Sequence, residues 1–156
     1  MFKSYHNGKE IIATEEKRMN WKHTLAYVKG IVEKYGPFDG IVGFCEGASV
    51  ASVALFLQEK GEDYGLGNVK LFIAMAPWRS PIYERDGLFS FNKPLKLPML
   101  QIVGNNDMEV FLASAPNFRK DFTNSLEYRH NGKHVYPMFT PTLDKKLNQL
   151  LRRTRL

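Results

Sequence analysis

The stretch from Gly36 to Ser52, GPFDGIVGFCEGASVAS, decides the fold. Its Gly-Pro pair marks a turn, GIVGF reads as a short apolar strand, and the small residues after Glu46 suit a helix packed closely on a sheet. Cys45, the chain's only cysteine, stands at the corner between the strand and the helix. A lone cysteine is more often a buried hydrophobe than a reactive group, so the role of this corner depends on the rest of the chain.

Helical and strand patterns alternate along the remainder of the chain. Residues 20–36 repeat apolar side chains at helical spacing, whereas VKLFIAMA (69–76) and PMLQIVG (98–104) are continuous apolar runs, typical of strands buried on both faces. Further predicted elements are a short strand at 10–14, strands at 40–44 and 125–130, and helices at 45–60, around 108–122 and at the C-terminus. This order predicts an α/β fold, with a mostly parallel sheet flanked by helices.

Size, charge and cysteine content restrict the class of protein. A chain of 156 residues fits one domain, 1–156, of which residues 1–18 are weakly patterned. We expect no membrane partner, because the chain has neither an apolar run of about 18 residues nor a signal peptide. The net charge of +6 is scattered and no nucleic-acid-binding motif accompanies it, so no nucleic-acid partner is predicted. A single cysteine forms no internal disulfide, which fits the cytoplasm. The basic C-terminal segment is predicted to be a helix whose apolar face is formed by Leu143, Leu147, Leu150 and Leu151.

The corner has the form of a nucleophile elbow, G-x-C-x-G, from Gly43 to Gly47. Such a corner holds the nucleophile on a strained turn between a strand and a helix, which requires very small flanking residues. The turn places the sulfur of Cys45 at a helix N-terminus, where the dipole favours the thiolate. The backbone N–H of Glu46 is then expected to point at a developing oxyanion.

Two further segments follow strands and are expected at the same edge of the sheet as Cys45. In α/β-hydrolases, the nucleophile is followed along the chain by an acid and then by a histidine. Asp107 follows the strand PMLQIVG, and His134 follows the strand SLEYRH. The sequence therefore predicts a catalytic triad of Cys45, His134 and Asp107.

Both partners of Cys45 have alternatives. Asp107 comes after two asparagines and is also a candidate turn-forming residue, with Glu109 as a reserve acid. His130 competes with His134 for the role of base. His134 is preferred, because it falls in the loop whereas His130 falls within the predicted strand.

Three motifs resemble those of the FSH family of serine hydrolases, which is similar to the ovarian-cancer-associated hydrolase family. YGPFDGIVGFCEGASVA resembles the family's GPFDG-hydrophobic-GFSQGA signature, LPMLQIVGNNDMEV its strand before the acid, and NGKHVYP its histidine segment. The resemblance covers about residues 20–150. It implies an α/β-hydrolase fold and hydrolysis of carboxylic esters or thioesters, with Cys45, Asp107 and His134 as nucleophile, acid and base.

The chain departs from this family pattern at the elbow. Cysteine replaces serine, as in dienelactone hydrolases, a rival within the fold whose corner usually continues with a glycine where this chain has Ala48. A thiolate nucleophile forms a thioester intermediate. Glu46 replaces the usual glutamine, and we expect its carboxylate to face solvent, because a charge bent toward the sulfur would raise the pKa of the Cys45 thiol.

The N-terminal portion of the family fold has no counterpart in the sequence before Trp21. Family members begin with a strand and a loop that supplies the second oxyanion donor, so we expect an N-terminally truncated, partial α/β-hydrolase domain. Strand 40–44 would then form an apolar sheet edge. We expect this edge to pair with a second copy in a homodimer, to be covered by residues 1–18, or to mark the chain as a fragment.

The long connection at 76–98, APWRSPIYERDGLFSFNKPLKLP, is a candidate pocket wall or lid. The aromatic candidates for lining an acyl pocket are Phe44, Trp78, Tyr83 and Phe89. The alternative is a loop that packs its own aromatic side chains on the sheet. Arg79 or Arg85 is a candidate contact for a substrate carboxylate.

Three functions are compatible with the sequence. The first is hydrolysis of a small acyl ester or thioester by a Cys-His-Asp triad. The second is a non-catalytic hydrolase relative that acts as a binding or interaction module. The third is an unrelated α/β binding domain or a redox-sensing thiol protein. No metal or other cofactor is predicted, because His130 and His134 have no clustered companion ligands.

Overall fold

The computed structural model describes residues 21–80, 83–84, 87–89 and 93–154, together with the backbone of 4–6 and 9–11. The strands are β1 (Ser4–His6), β2 (Lys9–Ile11), β3 (Gly40–Phe44), β4 (Leu71–Met75), β5 (Met99–Gly104) and β6 (Ser125–His130). The helices are α1 (Trp21–Tyr35), α2 (Glu46–Glu59), α3 (Glu109–Lys120) and α4 (Pro141–Thr154). From α1 onward the elements follow the predicted order. Of the strand predicted at 10–14, residues 12–14 lie outside the described residues.

Four strands form one parallel sheet in the order β3-β4-β5-β6. Parallel neighbours need crossover connections, and helices α2 and α3 supply those between β3 and β4 and between β5 and β6. The strands β1 and β2 form a separate antiparallel hairpin, with Ser4 opposite Ile11. The predicted α/β class with a parallel sheet is confirmed.

The central strands are buried on both faces of the sheet, as their continuous apolar pattern predicts. On one face, Phe72 belongs to a core shared with α1 and α2. On the other face, Leu100 packs with Leu143 and Leu150 of α4. Leu151, predicted to share this face, is instead 44% exposed. Adjacent residues of a helix are about 100° apart, so Leu150 and Leu151 cannot both point at the sheet.

Strand β3 lies at the edge of the sheet, as predicted. It pairs with β4 from Gly40 opposite Leu71 to Phe44 opposite Met75, and no other described strand pairs with its outer side. Val42, in the middle of the strand, is 60% exposed. The strand that leads to Cys45 therefore presents an apolar, unpaired edge.

Candidate active site

Cys45 occupies the sharp turn between β3 and α2. Its backbone has φ 54° and ψ −122°, a conformation that residues other than glycine rarely adopt. Its N–H donates to the carbonyl oxygen of Met75 at 2.9 Å, and its carbonyl oxygen accepts the N–H of Ala48 at 3.0 Å. Gly43 makes this turn possible, because a Cβ there would lie 2.6 Å from the Cα of Ala48. The corner thus has the strained backbone that a nucleophile elbow requires.

Asp107 and His134 form a hydrogen-bonded pair beyond the carboxyl ends of β5 and β6. The Nδ1 atom of His134 lies 3.1 Å from Oδ1 and 3.0 Å from Oδ2 of Asp107. The side chain of Asp107 is 0% exposed, and its Oδ1 also accepts the N–H of Met108 at 2.7 Å. Because the carboxylate holds Nδ1, the Nε2 atom of the imidazole is the one that exchanges a proton with other groups.

Direct contacts between two loops bring this pair together. The backbone N–H of Asn106 donates to the carbonyl oxygen of Gly132 at 3.1 Å, and its side-chain amide donates to the carbonyl oxygen of Asn131 at 2.7 Å. Gly104 permits the close approach, since a Cβ at this position would lie 2.3 Å from the carbonyl oxygen of Lys133. The loop that carries the acid and the loop that carries the histidine are therefore fixed to each other.

The alternative acid and histidine lie elsewhere. Nδ1 of His130 accepts the backbone N–H of Gly132 at 3.1 Å. Glu109 is the exposed first residue of α3. Neither is hydrogen-bonded to Asp107 or His134 in the described part of the chain, so the geometry favours the pair that the sequence preferred.

Aromatic rings hold the imidazole of His134 beside the elbow. Its ring centre lies 4.9 Å from that of Phe44 and 4.2 Å from that of Phe111, and Tyr136 stacks on Phe44 at 4.5 Å. Since Phe44 directly precedes Cys45, this packing brings His134 against the end of the strand that leads into the corner. Sequence reasoning missed Phe111 and Tyr136. Phe111 lies in the first turn of α3, and no pattern in the sequence links it to His134.

The thiol of Cys45 is shifted toward its neutral form. Burial raises its pKa above the ordinary value of 9.0, and the carboxylates of Glu46 and Asp107 raise it further, although the backbone N–H of Glu46 lowers it. No hydrogen bond joins Sγ to His134 in the described residues. The N–H at the start of α2 favours the thiolate, as expected, but burial outweighs this contribution and the pKa of the thiol is raised overall.

The Glu46 side chain turns toward the protein, which corrects the expectation that it faces solvent. Its Oε2 accepts the indole N–H of Trp78 at 3.0 Å, and its Oε1 is buried. The buried hydroxyl of Tyr83 lies near this carboxylate: burial raises the pKa of Tyr83, and the charge of Glu46 raises it further. The physical reason for the inward orientation is the donor that Trp78 places beside the start of α2.

The four candidate pocket residues divide into two pairs. Phe44 and Trp78 are half-buried near the elbow, and the Trp78 ring packs on Phe111 at 5.3 Å. Tyr83 and Phe89 are 1% and 4% exposed and belong to the core, where their rings lie 6.2 Å apart. For these two residues, the expectation of an open acyl pocket is wrong. They pack on each other and on the core, as the alternative interpretation of the long connection predicted.

Arg79 forms a structural ion pair rather than an open contact for a substrate carboxylate. Its Nε and Nη2 atoms both donate to the carboxylate of Asp121, Nε at 3.0 Å, and its Nη1 lies 3.6 Å from the carboxylate of Glu84. Arg85, the other candidate, lies outside the described residues. The long connection is thereby tied to the end of α3.

The described residues offer no group of three or more His, Cys, Asp or Glu side chains that could hold a metal ion. Over the same residues, none of the helices combines the length and the apolar character that crossing a membrane requires.

A parallel sheet with a strained nucleophile corner and an acid–histidine pair at its carboxyl edge defines an α/β-hydrolase. The chain resembles solved structures of this fold. One is a predicted CIB-like hydrolase from Thermoplasma acidophilum, with a TM-score of 0.63 at 16% identity, over 89% of this chain and 62% of that one. An acyl-protein thioesterase 2 from Zea mays has a TM-score of 0.56 at 19% identity, over 97% of this chain and 71% of that one. At these identities the likeness concerns the fold alone.

The serine hydrolase (FSH1) family model matches residues 2–146, and the chain belongs to this family. Among curated relatives, it is 27% identical to Esterase OVCA2 of Xenopus tropicalis over 106 residues, which are 68% of this chain and 44% of that protein. It is 26% identical to Esterase OVCA2 of Homo sapiens over 121 residues, which are 77% of this chain and 52% of that protein. The chain spans about half the length of these relatives.

Proposed function

We propose that the chain hydrolyses carboxylic esters or thioesters, with Cys45 as nucleophile, His134 as general base and Asp107 as the group that orients the imidazole. The observation that carries this proposal is the hydrogen-bonded pair of Asp107 and His134, packed against Phe44 next to the strained corner. The names of the curated relatives and membership of the serine hydrolase family support ester hydrolysis as the reaction type.

In the first half of the proposed reaction, Nε2 of His134 removes the proton from the thiol of Cys45 as Sγ attacks the carbonyl carbon. A base is needed because the thiol is held in its neutral form. The N–H of Glu46 donates to the oxyanion that forms. The tetrahedral intermediate collapses, the carbon–oxygen or carbon–sulfur bond breaks, and the leaving alcohol or thiol takes the proton from the imidazolium. A thioester on Cys45 remains.

In the second half, water attacks this thioester while His134 takes a proton from the water. The carbon–sulfur bond breaks, the carboxylic acid leaves, and the proton returns to Sγ. The role of Asp107 throughout is to hold the tautomer and to stabilise the imidazolium. Phe44 and Trp78, half-buried at the elbow, are the proposed contacts for the acyl group.

The alternative function is a hydrolase-like binding module without turnover. Two observations favour it: the raised pKa of the Cys45 thiol and the absence of a hydrogen bond between Sγ and His134 in the described residues. Either function is compatible with a cytoplasmic protein that binds no nucleic acid. Both the location and the absence of a nucleic-acid partner stay predictions.

Trapping the thioester intermediate distinguishes these two functions. We expect that brief incubation with a p-nitrophenyl ester or an acyl thioester, followed by acid quenching, adds one acyl mass to the intact chain, and that p-nitrophenol or free thiol is released. Cys45→Ala should show neither the adduct nor release above background. Folded protein that forms no adduct and releases no product would exclude the hydrolase and favour the binding module.

We also propose that the exposed edge of β3 pairs with the same edge of a second copy, because it is apolar and unpaired in the described residues. Light scattering after size exclusion should give twice the chain mass at high concentration. A lysine on an edge strand opposes such pairing, so Val42→Lys should shift the chain toward the monomer. Met138→Lys, at another exposed apolar residue, is the control. A monomeric wild-type chain at high concentration would contradict the proposal.

A further inference from the structure

The carboxylate of Glu46 is fixed at the nucleophile corner. Glu46 follows Cys45 directly and begins α2. The indole N–H of Trp78 holds its Oε2 at 3.0 Å, and its Oε1 is buried. A glutamate at an exposed helix start would place its charge in water, where it is screened. Here the charge acts on the Cys45 thiol, whose pKa it raises.

Trp78 is itself held in place, so it cannot easily release this carboxylate. Its carbonyl oxygen accepts the hydroxyl of Ser49 at 2.6 Å, one turn further along α2. Its ring packs on Phe111 at 5.3 Å. The chain enters this position from Ala76, whose φ of 44° makes a sharp bend at the end of β4. Two contacts and this backbone bend therefore fix Trp78, the donor that holds Glu46.

No cation neutralises Glu46 among the described residues. The guanidinium of Arg79, on the same connection, is bound to Asp121 and Glu84. Tyr83 is the titratable group beside the Glu46 carboxylate, and it stays neutral because its pKa is raised. The other titratable groups facing the corner are Asp107, which adds negative charge, and His134, whose Nδ1 is bound to Asp107.

We propose that Glu46 is a specificity-determining residue whose uncompensated carboxylate, held by Trp78, excludes substrates with an anionic group close to the reacting carbonyl and so selects neutral acyl groups. This proposal rests on the proposed function, because it names the substrate class that Cys45 would take. The same charge also disfavours the thiolate and the oxyanion, so selectivity comes with a slower nucleophile.

The sole cysteine permits a test that does not depend on hydrolysis. Iodoacetamide and iodoacetate alkylate a thiolate through the same displacement and differ by one negative charge. For each, the second-order rate constant at Cys45 is measured by intact mass against pH. We expect the wild-type chain to prefer iodoacetamide more strongly than a free thiol does, and to reach its half-maximal rate above pH 9.0, the ordinary thiol value.

Glu46→Gln removes the charge and keeps an oxygen acceptor for Trp78. We expect it to raise the ratio of the iodoacetate rate to the iodoacetamide rate by about threefold to tenfold, the effect of one unit charge several ångströms away in a partly solvated site. The half-maximal rate should move to lower pH, since a contribution that raises the pKa of the thiol is lost. Glu59→Gln makes the same change at the exposed far end of α2 and should alter neither quantity.

Trp78→Phe is the second variant, which keeps a ring and removes the N–H that holds Glu46. It should raise the same ratio, because the freed carboxylate turns to water. An unchanged ratio in folded Glu46→Gln, equal to that of Glu59→Gln, would overturn the proposal.

If the chain hydrolyses esters, Glu46→Gln should also narrow the preference for p-nitrophenyl butyrate over the mono-p-nitrophenyl ester of glutarate. If Glu46→Gln shifts the alkylation ratio but the chain hydrolyses no ester, the proposed hydrolase function is contradicted. Selection by charge at Cys45 is then still supported.

Discussion

His134→Ala should lower kcat/KM for ester hydrolysis by about 10²–10⁴-fold, the usual contribution of a positioned general base. The pKa of the Cys45 thiol is raised, so near neutral pH the nucleophile has little thiolate of its own and depends on Nε2 of His134 to take its proton. The loss should be largest near neutral pH. It should shrink as the pH rises through the thiol's pKa, because the thiolate then forms without a base.

The matched control is His130→Ala, at the last residue of β6 and four residues before His134. In the described residues, Nδ1 of His130 accepts the backbone N–H of Gly132 and no other hydrogen bond. Replacing His130 should therefore change kcat/KM by less than about threefold. Initial rates with a p-nitrophenyl ester from pH 6 to 10, for both variants and the wild type, give the comparison. A loss confined to His130→Ala would show that the base has been assigned to the wrong histidine. A loss in His134→Ala that does not shrink with pH would argue against proton removal as its role.

The sequence predicted the fold well where one local pattern determines the element. The strands 40–44 and 125–130 match β3 and β6 in their bounds, because each is a short apolar or alternating run between clear turn residues. The apolar run 69–76 is longer than β4 by three residues, since apolar character alone does not mark where sheet pairing ends. Leu151 was misplaced for a similar reason: its apolar side chain says nothing about which helix face meets the sheet.

The candidate site was also predictable only where a local pattern in the sequence indicated a residue's position. Cys45, Asp107 and His134 were proposed from their order and from their positions after strands, and in α/β folds that order brings such residues to one edge of the sheet. The inward orientation of Glu46 was not predictable, because its partner Trp78 is 32 residues away along the chain. Nor was the burial of Tyr83 and Phe89, which depends on how a long connection folds back onto the core. Contacts across such distances leave no local pattern.

Gly43→Ala should lower the free energy of unfolding by about 3 kcal/mol or more, whereas Gly47→Ala should leave it unchanged or raise it by up to about 1 kcal/mol. Both glycines belong to the G-x-C-x-G motif, and the sequence alone assigns them the same need for a small side chain. A Cβ on Gly43 would lie 2.6 Å from Cα and 2.7 Å from N of Ala48, and 2.7 Å from the carbonyl oxygen of Gly47. A Cβ on Gly47 would have no atom within 4 Å.

The obstacle at Gly43 is backbone, which cannot rotate away as a side-chain end can, so α2 must move off β3 to admit a methyl group. At Gly47 the methyl group enters open space and reduces the freedom of the unfolded chain in a helical position. Urea unfolding of both variants, followed by circular dichroism, gives the two values. Equal losses of unfolding free energy in the two variants would mean that both glycines are needed only for their small size. A loss in Gly43→Ala alone would mean that only Gly43 is needed for α2 to pack closely on β3. Any reason for glycine at position 47 would then lie in access to Cys45 rather than in folding.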